Sequence, residues 1–216
     1  MLRRLSPAAE LILVNLICFG PFAAQSAIGL VERNGTIVFD DRRALTLAAT
    51  ELLCGTLAFL LLRARGWKLA DLGLRPSIPQ TAAGMLLLLG ANILIGTVYE
   101  LVRAATHLEP GNATTFQARL SWPVLILLTL VNPFYDELFL VAYNLTAARP
   151  HGAAFAITLS TMVRFLCHLE HGPIASLTIL PLGLIFAAAY WRPRLVWPLI
   201  VAHGVMDFVG MLPEVP

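Results

Sequence analysis

Apolar runs long enough to cross a bilayer recur along the whole chain, and no other feature narrows the possible folds as much. A hydrocarbon core of ~30 Å takes about 20 residues of α-helix, and backbone groups in lipid must satisfy one another. The expected fold is therefore all-α, a polytopic transmembrane helical bundle of about seven spans. The first run continues to Leu30, followed by Ala44 to Leu62, Thr81 to Val102, Pro123 to Leu145, Ala153 to Cys167, Pro173 to Tyr190 and Leu195 to Leu212. The N-terminal run, with Arg3 and Arg4 before it, has the look of a signal peptide. It is longer than an ordinary signal h-region of about 7–15 residues and carries Asn15 and Gln25, so it reads as a span that stays attached.

Composition agrees: 58% of the 216 residues are hydrophobic and 13% charged, with a mean hydropathy of +0.76, outside the range of soluble domains. No separate soluble domain fits. Residues 1–120 hold the first three spans and a basic connector, Arg63 to Ser77, whose Trp67 and Lys68 suit the headgroup zone. Residues 121–216 hold a polar-motif core. A net charge of +2 gives no footprint for nucleic acid. Cys18, Cys54 and Cys167 are scattered and read as core thiols. With the N-terminus inside, nine basic residues fall on the cytoplasmic side and five outside, which favours a cytoplasmic N-terminus in a cell membrane, with the bilayer as the first partner. The sequons at Asn34, Asn112 and Asn144 carry no weight without a secretory compartment.

Within this lipid-compatible chain, Asp136 and Glu137 stand side by side in NPFYDELFLVAYN. An acid at mid-bilayer costs roughly 2.5–3.5 kcal/mol on insertion scales, so such groups face a bundle interior and mark a working site. Neighbours on an α-helix point about 100° apart, so at least one of the two lines an internal cavity. Pro133 should weaken the helix one turn earlier. Glu51, inside the second span, is a secondary candidate. The fifth span places Arg164 and His168 four residues apart, and the seventh places His203 and Asp207 four apart, so each pair shares a helical face. Several readings of these groups stay open: a packing network of buried polar pairs, a proton relay in a small ion-coupled transporter, or a catalytic centre. Glu137, His168, His203 and Asp207 also carry donors that suit zinc, although no HExxH-type spacing occurs.

At these residues the sequence resembles a family. DELFLVAYN, FLCHLEHGP and LGLIFAAAYWRPRLVWPLIVAHGVMD look like the three motifs of the CPBP intramembrane peptidases, the group of CAAX prenyl proteases and bacteriocin-processing and immunity proteins, whose pattern is EExxxR, FxxxH and HxxxN or HxxxD. The resemblance implies a peptidase without metal or other cofactor, of the bacterial inner membrane, acting on a lipidated or membrane-associated peptide. It places Asp136 as general base, Glu137 as the second acid, His168 as the water-holding histidine, and His203 with Asp207 as the oxyanion pair. Three positions depart from the pattern. Asp136 replaces Glu, Val141 stands where the motif has Arg, and Arg164 where it has Phe. They leave open a second outcome, a catalytically silent member that acts by binding, as an immunity or scaffold protein does.

Two expectations follow for geometry. Arg164 should neutralise Glu137 across the fourth and fifth spans, taking over from position 141; the competing expectation is that it snorkels to the nearer interface. Depth arithmetic at 1.5 Å per residue puts Asp136 and His203 roughly 13–15 Å from the cytoplasmic ends but His168 roughly 20–25 Å, so the three do not coincide on length alone.

Overall fold

A computed structural model describes residues 5–31, 37–106, 116–171 and 173–212. Among these residues the chain forms seven helices: α1 Pro7–Val31, α2 Asp41–Ala64, α3 Ile78–Thr106, α4 Trp122–Ala147, α5 Ala153–Leu166, α6 Pro173–Trp191 and α7 Trp197–Gly210. The first four are long and apolar enough to cross a membrane on length and composition. Helices α5 and α7 have 14 residues each, or about 21 Å at 1.5 Å per residue, well short of a ~30 Å hydrocarbon core. The last third of the chain is thus a set of shorter apolar helices packed on longer ones.

Helix ends follow local chemistry. Asp40 caps α2, its carboxylate accepting from the Arg43 N–H at 3.0 Å, and prolines in the first turns of α1, α4 and α7 stand where an N–H has no helical partner. The polar stretches before α2 and α4 each end in a four-residue strand. β1 (Ile37–Asp40) and β2 (Phe116–Arg119) pair in parallel, with Ile37 opposite Phe116 and Asp40 opposite Arg119. Their direction has a simple cause: each strand feeds a helix entering the bundle from the same end, and α2 packs beside α4. The Ser121 N–H donates to Asp41 Oδ1 at 2.7 Å, pinning the two helix starts together.

Helix α4 is the hub. It packs on α2 and α7, and its second half also meets α1, α5 and α6, while α3 covers α6 and α7. At the opposite end from the strands the connectors meet. Gly73, at φ 72°, brings its carbonyl to the Val196 N–H at 3.2 Å, and a Cβ there would collide with the Arg194 carbonyl. Arg149 donates to the Trp191 carbonyl, and Arg65 lies 2.6 Å from Glu10. Trp67 donates to Glu10 Oε1 and packs its ring 5.3 Å from Tyr143, because a buried glutamate needs every donor in reach. Cys18 and Cys54 are buried free thiols, and Cys167 is half-buried. Asn144 is buried against Asn15, the two amides exchanging bonds of 2.7 and 3.0 Å, so its sequon is not on the surface. Asn34, Asn112, Arg3 and Arg4 lie outside the described residues.

Candidate active site

The site is built on a break in the regularity of α4. Pro133 has no N–H, which leaves the Thr129 carbonyl without its usual partner one turn back. From Asp136 to Tyr143 the helix then widens into a π-helical segment. A π turn holds more residues than an α turn, so successive side chains diverge less, and such segments recur at functional sites. That geometry lets Asp136 and Glu137 address the same neighbour. The Leu140 carbonyl inside the segment receives the Ser160 hydroxyl of α5 at 2.7 Å.

Glu137 is fully buried, and a single oxygen of its carboxylate holds the centre together. Oε1 accepts from Arg164 Nη2 at 2.6 Å and from His203 Nδ1 at 2.8 Å, so α4, α5 and α7 meet at one atom. Arg164 is 1% exposed, which decides between the two expectations: it pairs inward rather than snorkelling. Its Nη1 lies 3.7 Å from Asp136 Oδ2, and its guanidinium sits 5.6 Å from the ring of Phe186 on α6. Val141, at the position where the motif has its arginine, is fully buried in the π segment. The cation that the acid pair lacks on its own helix is thus supplied by the facing one.

On α7, the carboxylate of Glu137 can only accept, so His203 Nδ1 carries the hydrogen of their bond and Nε2 is turned to Asp207 Oδ1, 3.5 Å away. Phe186 packs edge-on against the His203 ring at 6.4 Å. Helix α7 reaches α4 this closely because of Gly204: a Cβ there would stand 3.2 Å from the Thr129 carbonyl oxygen, the same oxygen that Pro133 releases.

His168 lies just beyond the end of α5, half-buried, with Nδ1 2.7 Å from the Arg164 carbonyl. A carbonyl also only accepts, which fixes the neutral ring as the tautomer whose Nε2 holds the lone pair. The structure therefore draws Asp136 and Glu137 together through Arg164, joins His203 and Asp207 to them through Glu137 Oε1, and sets His168 one turn beyond Arg164. Chemically this is a buried, acid-rich centre with two histidines, each anchored through Nδ1. Among the described residues, no three His, Cys, Asp or Glu side chains form a group that could hold a metal ion.

Beyond Ser160 and Gly204, two side chains around the centre had no role assigned from the sequence. Phe186 sits in an apolar helix with no polar signature to mark it. Asn132, one turn before Asp136, donates to the buried Glu51 of α2 at 2.6 Å; its only signal was a polar residue ahead of Pro133.

Residues 118–209 match the family model described as type II CAAX prenyl endopeptidase Rce1-like. The match covers α4 to α7 and the turns between them, and so all the residues just described except Glu51, and it agrees with the resemblance seen in the motifs. No curated protein and no solved structure matches the chain.

Proposed function

We propose that this chain is an intramembrane peptidase of the CAAX-protease type, hydrolysing a peptide bond of a lipidated or membrane-associated substrate with water activated by an acid and a histidine. The observation that carries the reading is the convergence on Glu137 Oε1, where side chains from three helices of the family-matched stretch meet in a buried setting. In this reading Asp136, whose side chain keeps 13% exposure, takes the proton of a water that His168 Nε2 helps to orient. The new hydroxide attacks the amide carbon. His203 Nε2–H turns from its long 3.5 Å contact with Asp207 to donate to the oxyanion, while Nδ1 stays on Glu137. Asp136 returns the proton to the leaving amine, and the C–N bond breaks. Glu137 does not touch the reacting atoms: held by Arg164, it fixes His203. Preorganised donors in a site shut off from water stabilise developing charge strongly, and proton transfer by a positioned group contributes typically 10²–10⁴-fold.

A second reading, a catalytically silent family member that binds rather than cleaves, is favoured by one feature, the shorter Asp136 at the general-base position. An Asp carboxylate sits about one methylene further back, and misplacement near 1 Å can cost on the order of a hundredfold. The basic connectors gathered at one end support the placement of the N-terminus on the cytoplasmic side of a bacterial inner membrane. The test is direct. Purified protein in lipid nanodiscs is given prenylated and unprenylated peptides of one sequence, and products are read by mass spectrometry. Cleavage that stops in Asp136→Asn supports the peptidase; binding of the peptide without product supports the silent member.

A further inference from the structure

Glu51 lies on α2, outside the stretch that matches the family, and no step of the mechanism above uses it. It is 2% exposed. Its Oε1 accepts from Asn132 Nδ2 at 2.6 Å, and its Oε2 is buried with no hydrogen-bond partner. Asn132 and Asp136 are four residues apart on α4, so the Glu51 to Asn132 bond ends one helical turn from Asp136. Across the α2–α4 seam Glu51 thus meets the helix that carries Asp136, and α4 in turn packs on α7 with His203 and Asp207. Its own helix adds Cys54, one turn on.

A neutral acceptor would also satisfy the Asn132 amide. What the carboxyl adds is its capacity to carry a charge or a proton beside the centre. The centre has use for that capacity. Asp136, Glu137 and Asp207 are three carboxyl groups about the cations Arg164 and, when protonated, His203, and Glu137 Oε2, Asp207 Oδ2 and Arg164 Nε are buried without a hydrogen-bond partner, as Glu51 Oε2 is.

We infer that Glu51 is a further positioning residue of the centre, which holds Asn132 against Asp136 and exchanges a proton with the buried carboxyl cluster. The catalytic part of this inference rests on the peptidase reading; the coupling of Glu51 to Asp136 does not.

Two variants separate the roles. Glu51→Gln keeps an acceptor for Asn132 and the side-chain shape but cannot exchange a proton, whereas Glu51→Ala removes both. In nanodiscs, Glu51→Gln is expected to retain the thermal transition of the parent and its KM for the cleaved peptide while kcat falls at least about tenfold; Glu51→Ala loses thermal stability as well. Infrared difference spectra of the substrate-free protein across a pH jump supply the second readout. One carboxyl band is expected to vanish in Glu51→Gln, and that same band should move in Asp136→Asn. A Glu51→Gln variant equal to the parent in kcat, or a Glu51 band indifferent to Asp136→Asn, overturns the inference and leaves the peptidase reading intact. A coupled Glu51 band in a protein that cleaves no peptide upholds the coupling and defeats the peptidase reading instead.

Discussion

Arg164 Nη2 lies 2.6 Å from Glu137 Oε1, and the two side chains, 1% and 0% exposed, form a buried ion pair between α4 and α5. The pair ties together the helix that carries both acids and the helix that leads to His168. Removing one partner of a buried pair strands the other charge, which costs about 3–5 kcal/mol, whereas removing both is far cheaper. Arg164→Leu should therefore destabilise by about that amount, and Arg164→Leu with Glu137→Gln should be more stable than Arg164→Leu alone. Thermal unfolding in a fixed detergent or lipid measures both; equal losses would mean that the pair does not hold α4 to α5.

His203 and His168 are expected to separate under mutation. His203→Ala deletes a donor to Glu137 and should lower both hydrolysis and thermal stability. His168→Ala, which loses a bond to a backbone carbonyl in a half-buried turn, should abolish hydrolysis while insertion and stability stay close to those of the parent. Each loss should reach at least the ~10² scale of a positioned proton-transfer group, read as kcat with the cleaved peptide.

Asp136→Glu restores the longer acid of the family pattern. Asp136 Oδ2 stands 3.7 Å from Arg164 Nη1, so one added methylene brings the carboxylate toward its cation as well as toward the site. Activity should rise. A fall, with stability unchanged, would mean that the centre is fitted to aspartate.

Gly204 sets the distance between α7 and α4. Gly204→Val should push His203 away from Glu137 at an overpacking cost of about 1–3 kcal/mol, with a loss of kcat larger than that of stability. Parent-like activity in this variant would detach the α4–α7 spacing from the chemistry.

Much of this was legible in the chain because lipid leaves few choices. Long apolar runs had to become helices, and the expected ends of the second and fourth runs lie within three residues of the observed α2 and α4. Arg164 was readable as a partner for Glu137 because a lone cation in an apolar helix needs a counter-charge and the fourth and fifth helices are consecutive. The rest depended on tertiary detail. Nothing in DELFLVAY announces a π segment, since its hydrogen-bond pattern is selected by Pro133, Ser160 and packing from α5 and α6 rather than by residue type. The parallel strands escaped because four-residue segments beside polar loops have no periodicity to read. Phe186 and Gly204 matter through position alone, and Glu51 became part of the centre only once α2 was seen against α4.

The central claim is that the side chains gathered around Glu137 form a hydrolytic centre. Its most direct test is one turnover experiment in heavy-oxygen water, with parent, Asp136→Asn and His203→Ala proteins in identical nanodiscs and a membrane-associated peptide that the parent engages. The account predicts that the parent releases a peptide whose new carboxylate carries one heavy oxygen, and that both variants bind the same peptide and release none. Equal cleavage by all three proteins, or peptide binding by the parent without product, would contradict it.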